Sequence, residues 1–183
     1  MLNNALIAPL DLKLHMLEPG QALGITLKWA ETGKLSIINI YMPNNKGHQV
    51  EIWPQLERER HCCRMPKPDI ALGDFNITED AIDRSPLQDR PQDRRASDTL
   101  RELRLAWNIQ DQWRHDSPRE RLFMHHHKRN SQYKQERLDR IYSVKKHDKH
   151  LFKWEVEPST TPSDHSIVSV KSAPKDNPTI GSR

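Results

Sequence analysis

Apolar and polar residues alternate over ALGITLKW, residues 22–29. A period of two predicts a strand with one buried face. After the turn-like ETGK at residues 31–34, the run KLSIINIYMP is almost continuously apolar and ends in proline. Such a run predicts a strand that is buried on both faces, in the middle of a sheet. KPDIALGDF, residues 67–75, predicts another buried strand.

Two segments have the apolar spacing of helices. GHQVEIWPQLERERHCC, residues 47–63, places its apolar residues on one side, but Pro54 fits only if the helix starts near it or bends there. ASDTLRELRLAWNI, residues 96–109, predicts a second helix with Ser97 or Asp98 as its N-cap.

The C-terminal half changes to short strand patterns. We expect strands in IQDQW, RLFMH, ERLDRIYSV, LFKWEVE and SIVSVKS. Many strands and few helices predict an α+β domain over residues 1–172, in which packed sheets carry peripheral helices. Residues 173–183 are expected to form a loose tail.

Composition predicts a folded domain with a highly charged surface. Charged residues make up 30% of the chain, and the mean hydropathy is −0.90. Lys and Arg outnumber Asp and Glu by 29 to 25, which gives a pI of about 9.1. A mildly basic surface suits a polyanionic partner, and it equally suits ordinary solvated charge.

Cellular location is predicted from what the sequence lacks. The first twenty residues have no basic segment followed by an uninterrupted apolar one, so we expect no secretory signal. No apolar run approaches the roughly 20 residues needed to cross a bilayer, so we expect no membrane partner. The two cysteines, Cys62 and Cys63, are adjacent and cannot cross-link distant loops. These features predict an intracellular protein, in the nucleus if its partner is DNA, rather than a secreted one.

The stretch DIALGDFNITEDAIDRS, residues 69–85, concentrates carboxylates after a buried strand. An EF-hand loop starting at Asp74 would need Gly and Glu where the chain has Glu79 and Ser85, so calcium binding of that form is excluded. A strand-end turn capped by Asp74 and Asn76 remains an alternative. We expect Glu79, Asp80 and Asp83 to belong to the loop beyond.

Other residues further along favour a hydrolytic site. Asp164 and His165 come just before a predicted strand, and Asp139 lies among apolar neighbours. A buried Asp is unfavourable unless it is paired, and His is a natural partner. Together these residues supply a group that activates water, a group that orients it and carboxylates for a hard cation.

Four motifs resemble those of the endonuclease/exonuclease/phosphatase superfamily, which includes DNase I, apurinic-site endonucleases and LINE-type retrotransposon endonucleases. They are INIYMPN at 38–44, LGDFN at 72–76, RLDRIY at 137–142 and SDHSIV at 163–168, in the order of the family. The resemblance extends from about Leu23 to Val170, and it is closest in appearance to endonuclease domains of fungal LINE-like elements.

The resemblance implies a four-layer α/β sandwich of two mostly antiparallel sheets with helices outside. It also implies hydrolysis of a phosphoester with Mg²⁺, or Mn²⁺ in its place, and contact with the DNA phosphate backbone. By position in the motifs, Asp74 would orient or deprotonate the attacking water, and Asn76 would hold a phosphate oxygen. His165 would bind the phosphate and stabilise the transition state, and Asp139 would orient His165. By the same correspondence to the motifs, Asp164 would be the metal ligand and Tyr41 would lie against the scissile phosphate.

Two features of the family pattern are not found before residue 22. Members begin with a strand carrying Asn or Asp and a second strand that ends in a metal-binding Glu. Here Glu18 lies in LEPG, which reads as a turn, and no apolar strand followed by Glu is recognised. We therefore expect a domain that lacks its first strands and binds Mg²⁺ weakly.

The histidine run MHHHKR, residues 124–129, is an alternative candidate for a metal site. Consecutive residues of a strand point to opposite faces, so three histidines cannot easily converge on one ion. A solvated or nucleic-acid-facing loop is the favoured interpretation. Three functions remain open: a Mg²⁺-dependent, retroelement-derived DNA endonuclease domain, a catalytically dead remnant of one, or a basic nucleic-acid-binding module without catalysis.

Overall fold

The computed structural model describes residues 12–29, 33–129 and 132–172. Residues 1–11, part of the ETGK turn and the predicted tail at 173–183 lie outside these ranges. The strands are β1 Leu12–Glu18, β2 Ala22–Trp29, β3 Gly33–Tyr41, β4 Ile70–Asp74, β5 Arg84–Ser85, β6 Ile109–Asp111, β7 His125–Arg129, β8 Gln132–Glu136, β9 Asp139–Val144, β10 Leu151–Glu157 and β11 Ile167–Ser172. The helices are α1 Lys46–Cys62, α2 Arg94–Trp107 and α3 Gln112–Asp116, with 3-10 turns at Ala81–Asp83, Pro91–Asp93 and Lys145–His150.

The largest sheet has six strands in the order β1-β2-β3-β4-β9-β6. Only β3 and β4 are parallel in this sheet, and α1 connects them. β5-β8-β7 and β10-β11 form two smaller antiparallel sheets. The predicted α+β class, with mostly antiparallel sheets and peripheral helices, is confirmed.

Apolar side chains pack on both faces of the six-stranded sheet. On one face, residues of β3 and β4 pack with α1 and α2 around Trp53 and Trp107, which are fully buried. On the other face, Leu35 and Ile70 pack with Val168 of β11. Burial on both sides explains why the sequences of β3 and β4 are continuously apolar.

The strand β1 corrects the expectation for the first residues. LKLHMLE pairs antiparallel with β2, and Glu18 is its last residue rather than part of a turn. The carboxylate of Glu18 accepts a hydrogen bond from Gln55 on α1. Sequence reasoning missed this strand because it buries a polar residue and exposes an apolar one. His15 is buried and bonds Thr26, while Leu14 is 61% exposed.

The helix boundaries also differ from those expected. Helix α1 begins after Asn45, whose side chain accepts a hydrogen bond from the backbone N–H of His48, and it continues through Pro54. Helix α2 begins at Arg94, so neither Ser97 nor Asp98 is its N-cap. The preceding 3-10 turn leads directly into α2 and moves its start toward the N-terminus.

The second half of the chain contains a hairpin that the sequence did not predict. Residues 121–124 of RLFMH are not a strand; the strand β7 begins at His125 and pairs with β8. The histidine run is therefore a strand rather than the expected loop. IQDQW divides into β6 and the first turn of α3. Among the described residues, no helix is long and apolar enough to span a membrane.

A buried ionic cluster links the loop after β4 to β9. Asp83 is 1% exposed and bonds Arg137 Nε at 2.8 Å, Arg140 Nη2 at 3.3 Å and Arg114 Nη2. Burial alone would raise the pKa of Asp83, but these arginines lower it to about 2. Asp83 thus lies in the loop after β4, as expected, and it anchors that loop to the core.

Candidate active site

Strand pairing places three site residues in one row at the end of the large sheet. Tyr41 on β3 is opposite Asp74 on β4, and Asp74 is opposite Asp139 on β9. The buried strands end at the same edge, where the chain turns toward solvent. The three side chains converge because register, rather than proximity in sequence, aligns them.

His165 reaches this row from the segment before β11. Its Nδ1 lies 2.8 Å from Asp139 Oδ2. Its backbone forms a β-bridge with His125, and the backbone N–H of Ser166 donates to the Met124 carbonyl at 2.7 Å. The pKa of His165 is raised because Asp139 accepts a hydrogen bond from its ring. The ring is therefore held with Nδ1 toward Asp139 and is favoured in its protonated form.

Asn76 occupies a tight turn after β4, with a positive φ of 48°. Its amide Nδ2 donates to the Met42 carbonyl at 2.7 Å and to Asp74 Oδ2 at 2.9 Å. Its backbone N–H donates to Asp74 Oδ1 at 2.8 Å. Asn76 thus fixes the Asp74 carboxylate, and the expected contact of Asn76 with a phosphate oxygen stays a prediction.

Gly73, just before Asp74, allows β4 to pass close to β3. Its φ is 131°, and a Cβ at this position would collide with the Ile40 carbonyl. Glycine is the residue that adopts such a backbone conformation without a steric penalty. The GD pair therefore brings the Asp74 carboxylate to the sheet edge.

The pKa of Asp74 is raised, first because of burial and further because the Asp139 carboxylate is near. The backbone N–H of Asn76 and the rings of His165 and His125 act in the opposite direction. A carboxylate with a raised pKa next to a second carboxylate is a candidate for accepting a proton.

Asp164 lies at the outer side of the site, with its side chain 63% exposed. Its pKa is lowered, first by its own backbone N–H and then by His125. His125 Nε2 lies 3.3 Å from Asp164 Oδ2. The carboxylate is thus ionised and accessible.

All six residues selected from the sequence line one cavity of about 910 Å³. They are Tyr41, Asp74, Asn76, Asp139, Asp164 and His165. The same cavity is lined by basic and acidic residues that sequence reasoning missed, namely Lys46, Arg84, Arg90, His125, His127, Lys134 and Glu136. Among these residues, only His125 and His127 were noticed in the sequence, as part of the histidine run. The others are single charged residues among many.

The missed cations bring positive charge to the polar cavity. Lys46 Nζ donates to the Asn76 carbonyl, and burial lowers the pKa of Lys46. Arg84 and Arg90 both contact Glu136 Oε1, at 3.3 and 2.9 Å. A cavity that combines cations with a carboxylate–histidine pair suits an anionic substrate.

No protein-family model matches the chain. In sequence it is similar to the Transposon TX1 uncharacterized 149 kDa protein of Xenopus laevis, with 30% identity over 159 residues. The match covers 84% of this chain and 11% of that protein, so the chain spans a small part of the length of this relative.

Several solved structures share the fold. The endonuclease domain of TRAS1, a telomere-specific non-LTR retrotransposon, has a TM-score of 0.67 and 15% identity, over 90% of this chain and 69% of that one. The 3′ phosphatase NExo from Neisseria, bound to a product DNA hairpin, has a TM-score of 0.68 and 17% identity, over 91% and 72% of the two chains. The AP endonuclease LMAP from Leishmania major has a TM-score of 0.64 and 16% identity, over 85% and 55%. The chain therefore has the fold of the endonuclease/exonuclease/phosphatase, or DNase I-like, superfamily, as its four motifs predicted.

Proposed function

We propose that this chain is a retroelement-derived DNA endonuclease domain that hydrolyses phosphodiester bonds with Mg²⁺. The observation that carries the proposal is the Asp139–His165 pair, which lines the same cavity as Asp74 together with cationic and acidic side chains. Hydrolysis of a phosphoester requires a group that accepts a proton from the attacking water and positive charge that stabilises the phosphate oxygens.

His165 supplies positive charge to the reacting phosphate. Asp139 accepts a hydrogen bond from the Nδ1–H of His165, so Nε2 is the ring atom that is left to donate to a phosphate oxygen. Because the pKa of His165 is raised, the imidazolium persists to higher pH than for a free histidine. Donors that are fixed before the reaction stabilise the charge that develops in the transition state.

Asp74 is the group that accepts the proton of the attacking water. Its two oxygens are held by Asn76, and its raised pKa makes it a stronger base than an ordinary aspartate. Tyr41, next to Asp74 in the strand row and 57% exposed, lines the face against which the scissile phosphate would lie.

The carboxylates present fit a hard divalent cation. The Asp164 carboxylate is accessible and would hold Mg²⁺, which commonly uses one or two carboxylates, water and substrate phosphate. When bound, the ion supplies charge neutralisation at the phosphate.

DNA is proposed as the substrate from the charge of the cavity and from the relatives. Lys46, Arg84, Arg90 and Lys134 line the cavity, where they would lie near a phosphate backbone. TRAS1 is a retrotransposon endonuclease, and NExo was solved with a DNA hairpin.

Nicking of supercoiled plasmid tests the proposal. We expect nicking with Mg²⁺, its loss in EDTA, and a loss of about 10²–10⁴-fold in His165→Ala. His115→Ala is the matched control, because His115 is 69% exposed and does not line the cavity. Retention of DNA without nicking would instead favour a binding module, and neither retention nor nicking would favour a catalytically dead remnant. Equal nicking by both variants would refute the role of His165.

A further inference from the structure

A second cluster of ligand-type side chains lies beside the catalytic pair. His125 and His127 are two positions apart on β7, so their side chains lie on the same face of the strand. Glu136 is the direct cross-strand partner of His125 on β8. One ligand atom of each residue lies within 4.8 Å of those of the other two. Ligands bound to a tetrahedral Zn²⁺ at about 2.0–2.1 Å lie about 3.4 Å apart, so small side-chain rotations would close the set.

The nitrogens of this cluster are available for an ion. Nδ1 of His125 and Nδ1 of His127 are both buried and make no hydrogen bond with the described residues. Buried ring nitrogens that lack partners are rare unless something else contacts them.

Glu136 presents one of its two oxygens to the histidines. Arg84 and Arg90 contact Oε1, while Oε2 lies 3.8 Å from His125 Nδ1. The arginines therefore leave Oε2 as the oxygen that faces the cluster.

The other nitrogen of His125 is oriented as in known metal sites. Nε2 lies 3.3 Å from the Asp164 carboxylate, and Nδ1 lies 3.8 Å from Glu136 Oε2, so each ring nitrogen faces a carboxylate. A histidine ligand usually donates its second ring N–H to a carboxylate or carbonyl, as Nε2 does here. A metal ion at Nδ1 would take the place of the proton that otherwise lies between this nitrogen and Glu136.

We propose that His125, His127 and Glu136 form a transition-metal site, of the kind that binds Zn²⁺, in the wall of the active-site cavity. Two imidazoles and one carboxylate favour Zn²⁺ and similar ions over Mg²⁺, which prefers oxygen ligands alone. A three-ligand set leaves one position for water or a phosphate oxygen. Arg84, Arg90 and Lys134 are the neighbouring cations that oppose an added positive charge.

Titration of the chain with Zn²⁺ alone, followed by calorimetry, tests this site, and the visible absorption of bound Co²⁺ reports its geometry. We expect one Zn²⁺ per chain, with proton release because the ion displaces protons from the ligands. Loss of a group that only orients a ligand costs about 10–100-fold in affinity, so His127→Gln should weaken binding by at least about 100-fold. His126→Gln is the matched control on the same strand, since the ring of His126 bonds Gln135 instead.

A second variant separates loss of the site from loss of folding. His127→Phe keeps a flat ring against His125, whose ring centroid lies 4.8 Å from that of His127, and removes only the nitrogens. Zn²⁺ binding to either His127 variant as tight as to wild type, or no binding by wild type, overturns the proposal. The result is independent of the proposed nuclease, because Zn²⁺ binding needs no substrate and Mg²⁺-dependent nicking is scored separately.

Discussion

Removal of the Asp83 charge is expected to destabilise the domain severely. Asp83→Asn keeps the size of the side chain but puts an amide donor against the guanidinium groups of Arg137, Arg140 and Arg114. Arg140 and Arg137 are 0% and 4% exposed, so Arg140 would stay buried without its ion pair and Arg137 would keep only its pair with Asp111. Breaking a buried pair from one side costs about 3–5 kcal/mol, a large share of the roughly 5–15 kcal/mol that holds a domain folded.

The pH dependence gives a second, independent measure of how much the Asp83 carboxylate stabilises the fold. The pKa of Asp83 falls from 3.8 to about 2 on folding. At 1.36 kcal/mol per pKa unit, this corresponds to about 2 kcal/mol. Because the folded-state pKa is the lower one, this stability is present above pH 4 or so and is lost as the pH falls through about 2. The substitution is expected to cost more than protonation because the amide also repels the guanidinium donors.

Urea unfolding at pH 7 and at low pH measures both effects. The fluorescence of Trp113 is a direct reporter, since Arg114 and Arg137 lie over its ring at 4.8 and 5.1 Å. Asp80→Asn is the control, because Asp80 is exposed and close in sequence. If the free energies of unfolding of Asp83→Asn and Asp80→Asn agree within about 0.5 kcal/mol, the cluster does not stabilise the core.

Three further outcomes are expected. Asp139→Asn removes the carboxylate that raises the pKa of His165, so the alkaline limb of the nicking profile should move to lower pH; an unmoved limb contradicts that pairing. Gly73→Ala should destabilise by about 3 kcal/mol or more in thermal unfolding, because it adds a backbone collision to the strain of positive φ. Gly20→Ala is its comparison, since Gly20 also has positive φ but open space, and equal losses would show that the collision is unimportant. Lys134→Gln should lower the slope of log Kobs against log salt for DNA binding by about one, whereas an unchanged slope would place Lys134 away from phosphate.

The sequence predicted the strands that bury side chains on both of their faces. β3 and β4 are continuously apolar because side chains pack on both of their faces, so their pattern needs no knowledge of the neighbours. β1 was missed because it buries His15 while it exposes Leu14. β8, with the sequence QYKQE, was missed because its buried residue is Glu136, which is stabilised by arginines from other segments. Such burial follows from tertiary contacts that no local pattern encodes.

The candidate site was predicted only in part, because tertiary contacts also place some of its residues. Asp74 and Asn76 follow a recognisable strand, and Asp139 starts another, so motif position was enough to find them. Lys46 and Arg84 reach the cavity from segments whose sequences look like ordinary solvated charge. Their contribution depends on where α1 and the loop after β4 pack, which the sequence pattern does not specify.

The row formed by β3, β4 and β9 links the proposed catalysis to correct pairing of the strands. If β9 slipped by one residue along β4, Arg140 would replace Asp139 opposite Asp74, and every side chain of β9 would turn to the other face. The acid pair would become a salt bridge, and His165 would lose its acceptor. A molecule with this misaligned sheet would be compact but inactive. The specific activity of a preparation would therefore measure the fraction of chains whose sheet is in register.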